Sequence, residues 1–217
     1  DPRALPRRFA AAGRGCGRGS LEAADPRLNG WSVDDAARFA LIDALRLPAG
    51  RLAEELSALY AHGDSSERRA ILRALEFTEA GDQFLPLVSD ALRCNEAQLI
   101  GVAMGPYAAR YLGQPAWRHG VLKCVFLSLP LAVVAGLDHR ADAEVARMLA
   151  AFAHERIAAG RDVPADIWPV VERFPGVLRE CGLLDELGST VPARAAAAHR
   201  ALDRRLSGLQ EDRDADI

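Results

Sequence analysis

The chain has 217 residues, of which 50% are hydrophobic and 26% are charged, and its formal net charge is −3. This length and composition suit a globular protein that buries a core of its own. The slight acidity excludes a global basic field of the kind that would favour nucleic acid as a partner. The four cysteines lie far apart without a Cys-x-x-Cys pair, which argues against a zinc knuckle or a disulfide framework.

The longest nearly apolar run of the sequence extends from Gly120 to Leu137 and is interrupted by Lys123 and Pro130. Its uninterrupted part is too short to cross a bilayer. No signal peptide is visible at the start of the given sequence. We therefore expect a soluble cytoplasmic protein with free thiols and no membrane insertion.

The first predicted elements are separated by proline and glycine. Arg, Gly and Pro dominate the start of the chain, which predicts a short helix around Pro6–Ala12 followed by an irregular segment. A helix then begins sharply in WSVDDAARFALIDAL, where Ser32 can cap it and Asp35 can complete a capping box. Several helical segments follow, up to a long apolar helix that ends at Pro130.

The segment GLDHRADAEVARMLAAFAHERIAAGRD predicts a helix that Asp142 caps and Gly160 ends. An Ala-rich helix is expected to begin near Pro192. No segment has the Val- and Ile-rich alternation that is typical of strands. About ten helices with short connections predict an all-α array of antiparallel helical hairpins, and a HEAT-like α-α superhelix is one arrangement compatible with it.

We interpret the chain as three parts. Residues 1–30 comprise the short helix and the irregular N-terminal segment. Residues 31–209 form a single all-α domain. Residues 210–217 form an acidic disordered tail.

Polar residues are unusually frequent on the helix that Asp142 caps. Arg156 falls on its apolar stripe and Glu155 at the edge of that stripe, whereas Arg147 and His154 share the opposite face. Because a buried arginine without a partner is too costly, it must be paired or lie near the helix end. The pattern fits either a structural ion-pair network or a ligand site.

Lys123 is the one charged residue that the long apolar helix carries after Gly120, and His119 precedes it by one turn. A desolvated lysine can serve as a base, a Schiff-base amine or an anchor for an anion. The alternative is that its aliphatic stem packs along the core while the ammonium group reaches an acid or solvent.

A third polar group surrounds the Gly105-Pro106 joint and comprises Arg93, Asn95, Tyr107, Arg110 and Tyr111. Helix ends supply free backbone N–H groups, and an arginine adds a forked donor suited to carboxylate or phosphate. Tyrosines at such joints also commonly tie a loop to a helix. Trp117, next to a proline, is typical of a packing anchor.

Several common site motifs are missing from the sequence. It has no glycine-rich nucleotide loop, no Gly-x-Ser-x-Gly elbow and no His-Glu-x-x-His pair. The possible metal ligands have no diagnostic spacing; they are Cys94, His119, Cys124 and His154. We therefore expect no organic cofactor and assign no metal ligand, and a metal site formed by some of these four residues stays an open alternative.

The run GPYAARYLGQPAWRHGVLKCVFLSLPLAVVAGLDHRADAEVARMLAAFAHERIAAGRDVPADIW resembles the EboA family. Members of that family typically read Asn-Pro-Tyr-Pro-Ala-Arg-Tyr, then Ala-Trp, Val-Leu-Lys, Gly-Leu-Asp, Ala-Arg-Met-Leu and Ala-His-Glu-Arg. LPRRF and WSVDDAARFALIDAL resemble its N-terminal portion, so the similarity spans roughly Leu5 to Trp168. The chain departs from the pattern at Gly105 and Ala108, where the family tends to have Asn and Pro.

The resemblance implies a role in bacterial secondary metabolism and in the traffic of metabolite precursors. It supplies no catalytic residues that could be carried over. The positions that match its motifs are mostly polar; they are Tyr107, Arg110, Trp117, Lys123, Asp138, Arg140, Arg147, His154, Glu155 and Arg156. Such a set suits a site better than plain packing.

The leading hypothesis is a protein that handles a small-molecule biosynthetic intermediate by cofactor-free acid–base chemistry, as an isomerase, cyclase or lyase. The catalytic candidates are His154, Lys123, Tyr107, Asp138 and Glu155. The substrate-binding candidates are Arg93, Arg110, Trp117, Arg140, Arg147 and Arg156. The alternative is a non-catalytic helical adaptor that binds pathway enzymes or carries a metabolite precursor. A homodimer is a further candidate assembly.

Overall fold

The computed structural model describes residues 4–202, and over that range the chain is helical and forms no β-strand. The prediction of an all-α protein is confirmed, whereas the HEAT-like superhelix stays a prediction. The helices are α1 (Leu5–Cys16), α2 (Val33–Asp43), α3 (Ala49–His62), α4 (Ser65–Ala74), α5 (Leu85–Arg93), α6 (Ala97–Ala103), α7 (Pro106–Tyr111), α8 (Gln114–Phe126), α9 (Leu137–Arg140), α10 (Ala143–Ala158), α11 (Trp168–Val171), α12 (Pro175–Glu180) and α13 (192–202).

Short 3₁₀ helices occur at Pro26–Leu28, Leu75–Phe77, Leu131–Val133, Ala165–Ile167 and Asp185–Gly188. Across residues 4–202, no helix is both long enough and apolar enough to cross a membrane.

The helices form two compact units. Of the described residues, the N-terminal unit takes residues 4–120 and Val133–Ala135, and the C-terminal unit takes residues 121–132 and 136–202. The single domain predicted for residues 31–209 stays a prediction. The acidic tail predicted for residues 210–217 lies outside the described residues.

In the N-terminal unit, α2 packs against α1 and α4, and α4 packs against α6. The start of α2 follows from its sequence, because the predicted capping box of Ser32 and Asp35 is present. The apolar residues of α1 recur at helical spacing and are buried; they are Leu5, Phe9 and Ala12. Unusually, α2 also buries three charged side chains, those of Asp34, Asp35 and Arg38.

In the C-terminal unit, α10 packs against α11 and α12. Asp142 caps α10 as predicted, because its Oδ1 accepts a hydrogen bond from the Val145 amide at 3.0 Å. Gly160 follows the helix with a φ of 68°, a left-handed conformation that glycine adopts without strain. The buried residues of α10 include three of its alanines, Ala146, Ala150 and Ala153, so more than its apolar stripe is covered.

Candidate functional site

An open groove of about 340 Å³ lies on the C-terminal unit. It is lined by Ala143, Arg147, Arg173, Phe174, Pro175, Gly176, Val177 and Glu180. Its least exposed members are apolar or small, with Val177 buried and Phe174 half-buried, whereas its three charged residues are exposed. The groove therefore combines an apolar inner wall with a charged outer edge.

The two arginines of the groove are held in different ways. Arg147 forms an ion pair with Glu144, one turn away on α10. Arg173 donates from Nη1 to the Leu137 carbonyl at 3.5 Å, and its guanidinium carbon lies 5.8 Å from the centre of the Phe174 ring. These contacts orient Arg173 while leaving most of its five N–H donors for a ligand.

Sequence reasoning identified Arg147 as a binding residue but missed Arg173. The reason is local: Arg173 lies between the short helices α11 and α12, where no periodic pattern separates an inner face from an outer face. The position of Pro175 at the first turn of α12 was the one available signal that the chain changes direction there.

A second polar arrangement in the same unit joins His154, Glu186 and Arg194. His154 Nε2 lies 2.9 Å from Glu186 Oε1. Arg194 donates from Nε to Glu186 Oε2 at 2.7 Å, and its Nη2 also bonds Oε1. These hydrogen bonds bring together α10, the 3₁₀ helix Asp185–Gly188 and α13.

The charge state of this arrangement follows from its hydrogen bonds. The bond from Arg194 is the main cause that lowers the pKa of Glu186, while desolvation opposes it and the bond from His154 adds to it. The carboxylate therefore stays ionised at neutral pH. In the neutral imidazole, Nε2 then carries the proton that it donates to Glu186. Nδ1 has no hydrogen-bond partner among the described residues.

The acid that contacts His154 is 32 residues away along the chain. The acids that the sequence placed with His154 among the catalytic candidates are Asp138 and Glu155. Asp138 lies exposed in the first turn of α9, and Glu155 lies exposed on α10. Neither position carried a signal that could have pointed to Glu186.

Tyr107 lies in the N-terminal unit, and two backbone groups use its hydroxyl. The hydroxyl donates to the Gly81 carbonyl at 2.7 Å and accepts from the Phe84 amide at 3.0 Å. Burial is the main cause that raises the pKa of Tyr107. The side chain thus ties the 81–84 turn to α7, which is the structural alternative that its position next to Gly105-Pro106 had suggested.

Two of the predicted binding arginines, Arg93 and Arg156, have local contacts of their own. Arg93 pairs with Asp90 at 3.0 Å on the surface of α5. Arg156 donates from Nε to the Asp162 carbonyl, and its guanidinium carbon lies 5.7 Å from the Phe152 ring centre. Arg156 therefore secures the loop that follows α10. Arg110 is exposed on α7.

The remaining predicted residues differ mainly in burial. Trp117 is fully buried on α8, whereas Lys123, further along the same helix, is half-buried. Arg140 is half-buried, and desolvation lowers its pKa. Arg147 is the predicted site residue that lines the groove. His154 lies on the same helix, α10, seven residues further along.

The N-terminal unit contains a buried charged cluster that sequence reasoning missed. Arg38 Nη1 lies 2.5 Å from Asp34 Oδ2, and both side chains are at most 1% exposed. Arg69 Nε donates to Asp35 Oδ1 at 3.1 Å, and Arg73 Nε lies 3.3 Å from Asp35 Oδ2. We call these five residues the buried ion cluster.

The buried ion cluster connects backbone segments rather than opening a cavity. Arg38 donates from Nε to the Phe9 carbonyl of α1 at 3.1 Å, and Arg73 donates from Nη2 to the Gly30 carbonyl at 2.8 Å. Burial by itself would raise the pKa of Asp34, but hydrogen bonds from Ser32 and Arg38 outweigh it and lower the pKa. The Asp34 and Arg38 spacing of four residues was the signal available in the sequence.

Comparisons with known proteins place the chain in a family. The family model described as metabolite traffic protein EboA matches residues 23–172. No curated protein and no solved structure matches the chain significantly. The matched range includes Arg147 and His154 and ends just before Arg173, so Glu186 and Arg194 lie outside it. Because the matched residues make up more than half of the sequence, the chain belongs to the EboA family of metabolite traffic proteins.

Proposed function

We propose that this protein binds and carries a small-molecule biosynthetic intermediate of secondary metabolism in the groove of the C-terminal unit. The observation that carries the proposal is the pairing of an apolar inner wall with the exposed guanidinium groups of Arg147 and Arg173. The volume of about 340 Å³ lies in the range of small-molecule sites. The family description, metabolite traffic, supports carriage.

The groove chemistry defines the expected ligand class. A guanidinium group presents a planar fork of donors that matches a carboxylate, sulfonate or phosphate oxygen pair. Phe174 and Val177 offer apolar surface beside it. Glu180 at the same edge disfavours a second anionic group. The groove therefore suits a molecule with an apolar body and a single acidic group.

The dye anilinonaphthalene sulfonate (ANS) has this chemistry and tests the proposal through its fluorescence on binding. Gly176→Leu should place a side chain in the groove and weaken ANS binding, because a Cβ at this position meets no atom closer than Glu180 Oε1 at 3.9 Å. The pair Arg147→Gln and Arg173→Gln should raise the dissociation constant of ANS by about tenfold or more, since charge-assisted hydrogen bonds are lost.

The matched control replaces two exposed arginines outside the groove, Arg51→Gln and Arg161→Gln, and should leave the dissociation constant unchanged. Circular dichroism checks that each variant is folded. An equal loss of ANS affinity in the control pair, or unaltered ANS binding by Gly176→Leu, would refute carriage in the groove.

A second candidate function, acid–base catalysis, is favoured by the hydrogen bond between His154 and Glu186. A carboxylate on one ring nitrogen orients the imidazole and stabilises its protonated form, so the other nitrogen can act as a base. His154 Nδ1 would remove a proton from carbon and return it at another atom, which is an isomerisation and needs no cofactor. Lys123, which belongs to the same unit, would stabilise the developing negative charge if it reaches the substrate.

The positions of Arg147 and His154 on α10 allow one ligand to contact both residues. Arg147 and His154 are seven residues apart on α10, which corresponds to about 10 Å along the helix axis. An intermediate whose acidic end is held by Arg147 could extend its apolar body towards His154. Carriage requires the groove alone, whereas catalysis requires both.

A further inference from the structure

The N-terminal unit carries exposed arginines that form no ion pair within residues 4–202. Arg7, Arg8, Arg14 and Arg18 are exposed, and residues 4–21 contain no Asp or Glu. None of the four has an ion pair with any residue in the range 4–202. Several other exposed arginines of this unit are paired locally, as in Arg27–Asp25, Arg46–Asp43 and Arg51–Glu54.

The packing of α1 fixes the direction of these arginines. Phe9 is 1% exposed on the face of α1 that packs on α2, and the hydrogen bond from Arg38 to its carbonyl anchors the helix. Arg7 and Arg14, seven residues apart, lie on the opposite face because the helical period brings them into line. The buried ion cluster thus holds a basic helix face outward.

Arg18 lies against a glycine on one flank of this outward face, and Arg8 lies on its other flank. A Cβ atom at Gly13 would lie 2.7 Å from Arg18 Nε, so the Arg18 side chain lies against α1 where this residue has no side chain. We call the four residues Arg7, Arg8, Arg14 and Arg18 the arginine face.

We propose that the arginine face binds the surface of an anionic lipid membrane through phosphate headgroups. Between the arginines, α1 exposes the small residues Pro6, Ala10 and Gly15 and no large apolar side chain. A protein partner would have little apolar surface to bury there. Mobile headgroups can instead gather around each guanidinium, and basic residues near such a surface contribute additively.

This inference goes beyond the proposed carriage, because it concerns a second surface that does not involve the groove. The contact is peripheral: the apolar face of α1 is already buried, so charge alone holds the protein to the headgroups. Binding should therefore weaken steeply as salt is added. A carrier that docks in this way could deliver or collect its cargo at a lipid surface.

Vesicle co-sedimentation tests the inference with two lipid mixtures, phosphatidylcholine alone and phosphatidylcholine with an equal amount of phosphatidylglycerol. The protein should sediment with the anionic vesicles at low salt and stay in solution with the neutral ones. Replacing Arg7, Arg8 and Arg14 by Gln should weaken binding to anionic vesicles by about a hundredfold.

The matched control replaces three exposed arginines elsewhere, Arg46, Arg51 and Arg161, and changes the net charge equally. Its binding should stay within about twofold of the unmodified protein, since the arginine face is intact in this variant. Absence of vesicle binding, equal losses in both triple variants, or tighter binding to random-sequence double-stranded DNA than to anionic vesicles would overturn the inference. ANS binding should be the same in both variants, so this test is independent of the groove.

Discussion

The two units use carboxylate and arginine groups in contrasting ways. In the buried ion cluster of the N-terminal unit, Asp34, Asp35 and Arg38 are sealed from solvent. In the C-terminal unit, Glu186 is also buried and paired with an arginine, but the third member, His154, has a side chain that is 37% exposed. The chemistry is similar, and access to it differs.

This difference in solvent exposure distinguishes a structural network from a functional site. In a network that is sealed from solvent, the donors and acceptors bond to one another and to the backbone, so no ligand can reach them. Removing one member therefore lowers the free energy of unfolding. A half-exposed group with one unused nitrogen, as in His154, can exchange partners or protons. Exposure and an unused hydrogen-bonding atom therefore distinguish a functional site from a structural network better than the residue types do.

The largest expected effect is the loss of one partner from the buried ion cluster. Asp34→Leu leaves the Arg38 guanidinium without its carboxylate, and we expect the free energy of unfolding to fall by about 3–5 kcal/mol. Urea denaturation measures it. The double variant Asp34→Leu, Arg38→Met should recover much of the loss, since it removes both charges. A loss no larger than that of the exposed-pair variant Glu54→Gln would mean that the cluster is not structural.

A smaller loss of stability is expected on replacing Tyr107, a second buried group to which we assign a structural role. Tyr107→Phe leaves the Phe84 amide and the Gly81 carbonyl without a partner, at a cost of about 1–3 kcal/mol in the free energy of unfolding. The exposed Tyr111→Phe should cost less. ANS affinity should be unaltered in both variants; reduced ANS affinity in Tyr107→Phe alone would instead place Tyr107 in a site.

The pH dependence of stability should reveal the paired Glu186. Its pKa is lowered from the ordinary value of 4.5, so its stabilising contribution is complete above about pH 4.5 and is lost as the pH falls through the lower pKa of the folded state. With His154 replaced by Gln in both proteins, so that imidazole protonation does not contribute, the difference in unfolding free energy between Glu186 and Glu186→Gln should be constant from neutral pH down to about 4.5 and shrink below it. A difference that grows on acidification would contradict the lowered pKa.

The smallest effect concerns a single proton. His154 should carry its proton on Nε2 in the neutral ring, because Glu186 accepts there, whereas His119 should carry it on Nδ1, which lies 2.8 Å from the Pro115 carbonyl. Long-range proton–nitrogen NMR of the neutral rings distinguishes the two tautomers. An Nδ1–H tautomer at His154 would remove the basis for its role as a base through Nδ1.

The sequence predicted what is local and missed what is distant. The capping residues Ser32 and Asp142 fixed the starts of α2 and α10, because a cap acts within one turn. The pairs His154–Glu186 and Asp35–Arg69 join residues 32 and 34 positions apart, and no periodic pattern links such positions. For Arg156 the requirement of a partner or a helix end was sound: it lies in the last turn of α10 and bonds a carbonyl.

Mapping ANS on the protein by backbone amide NMR is the most direct test of whether the groove of the C-terminal unit binds a small acidic molecule. We expect the largest changes in amide chemical shift at residues 143–147 and 173–180, and Gly176→Leu should abolish them. Changes centred on other residues, with the groove amides unmoved, would contradict it.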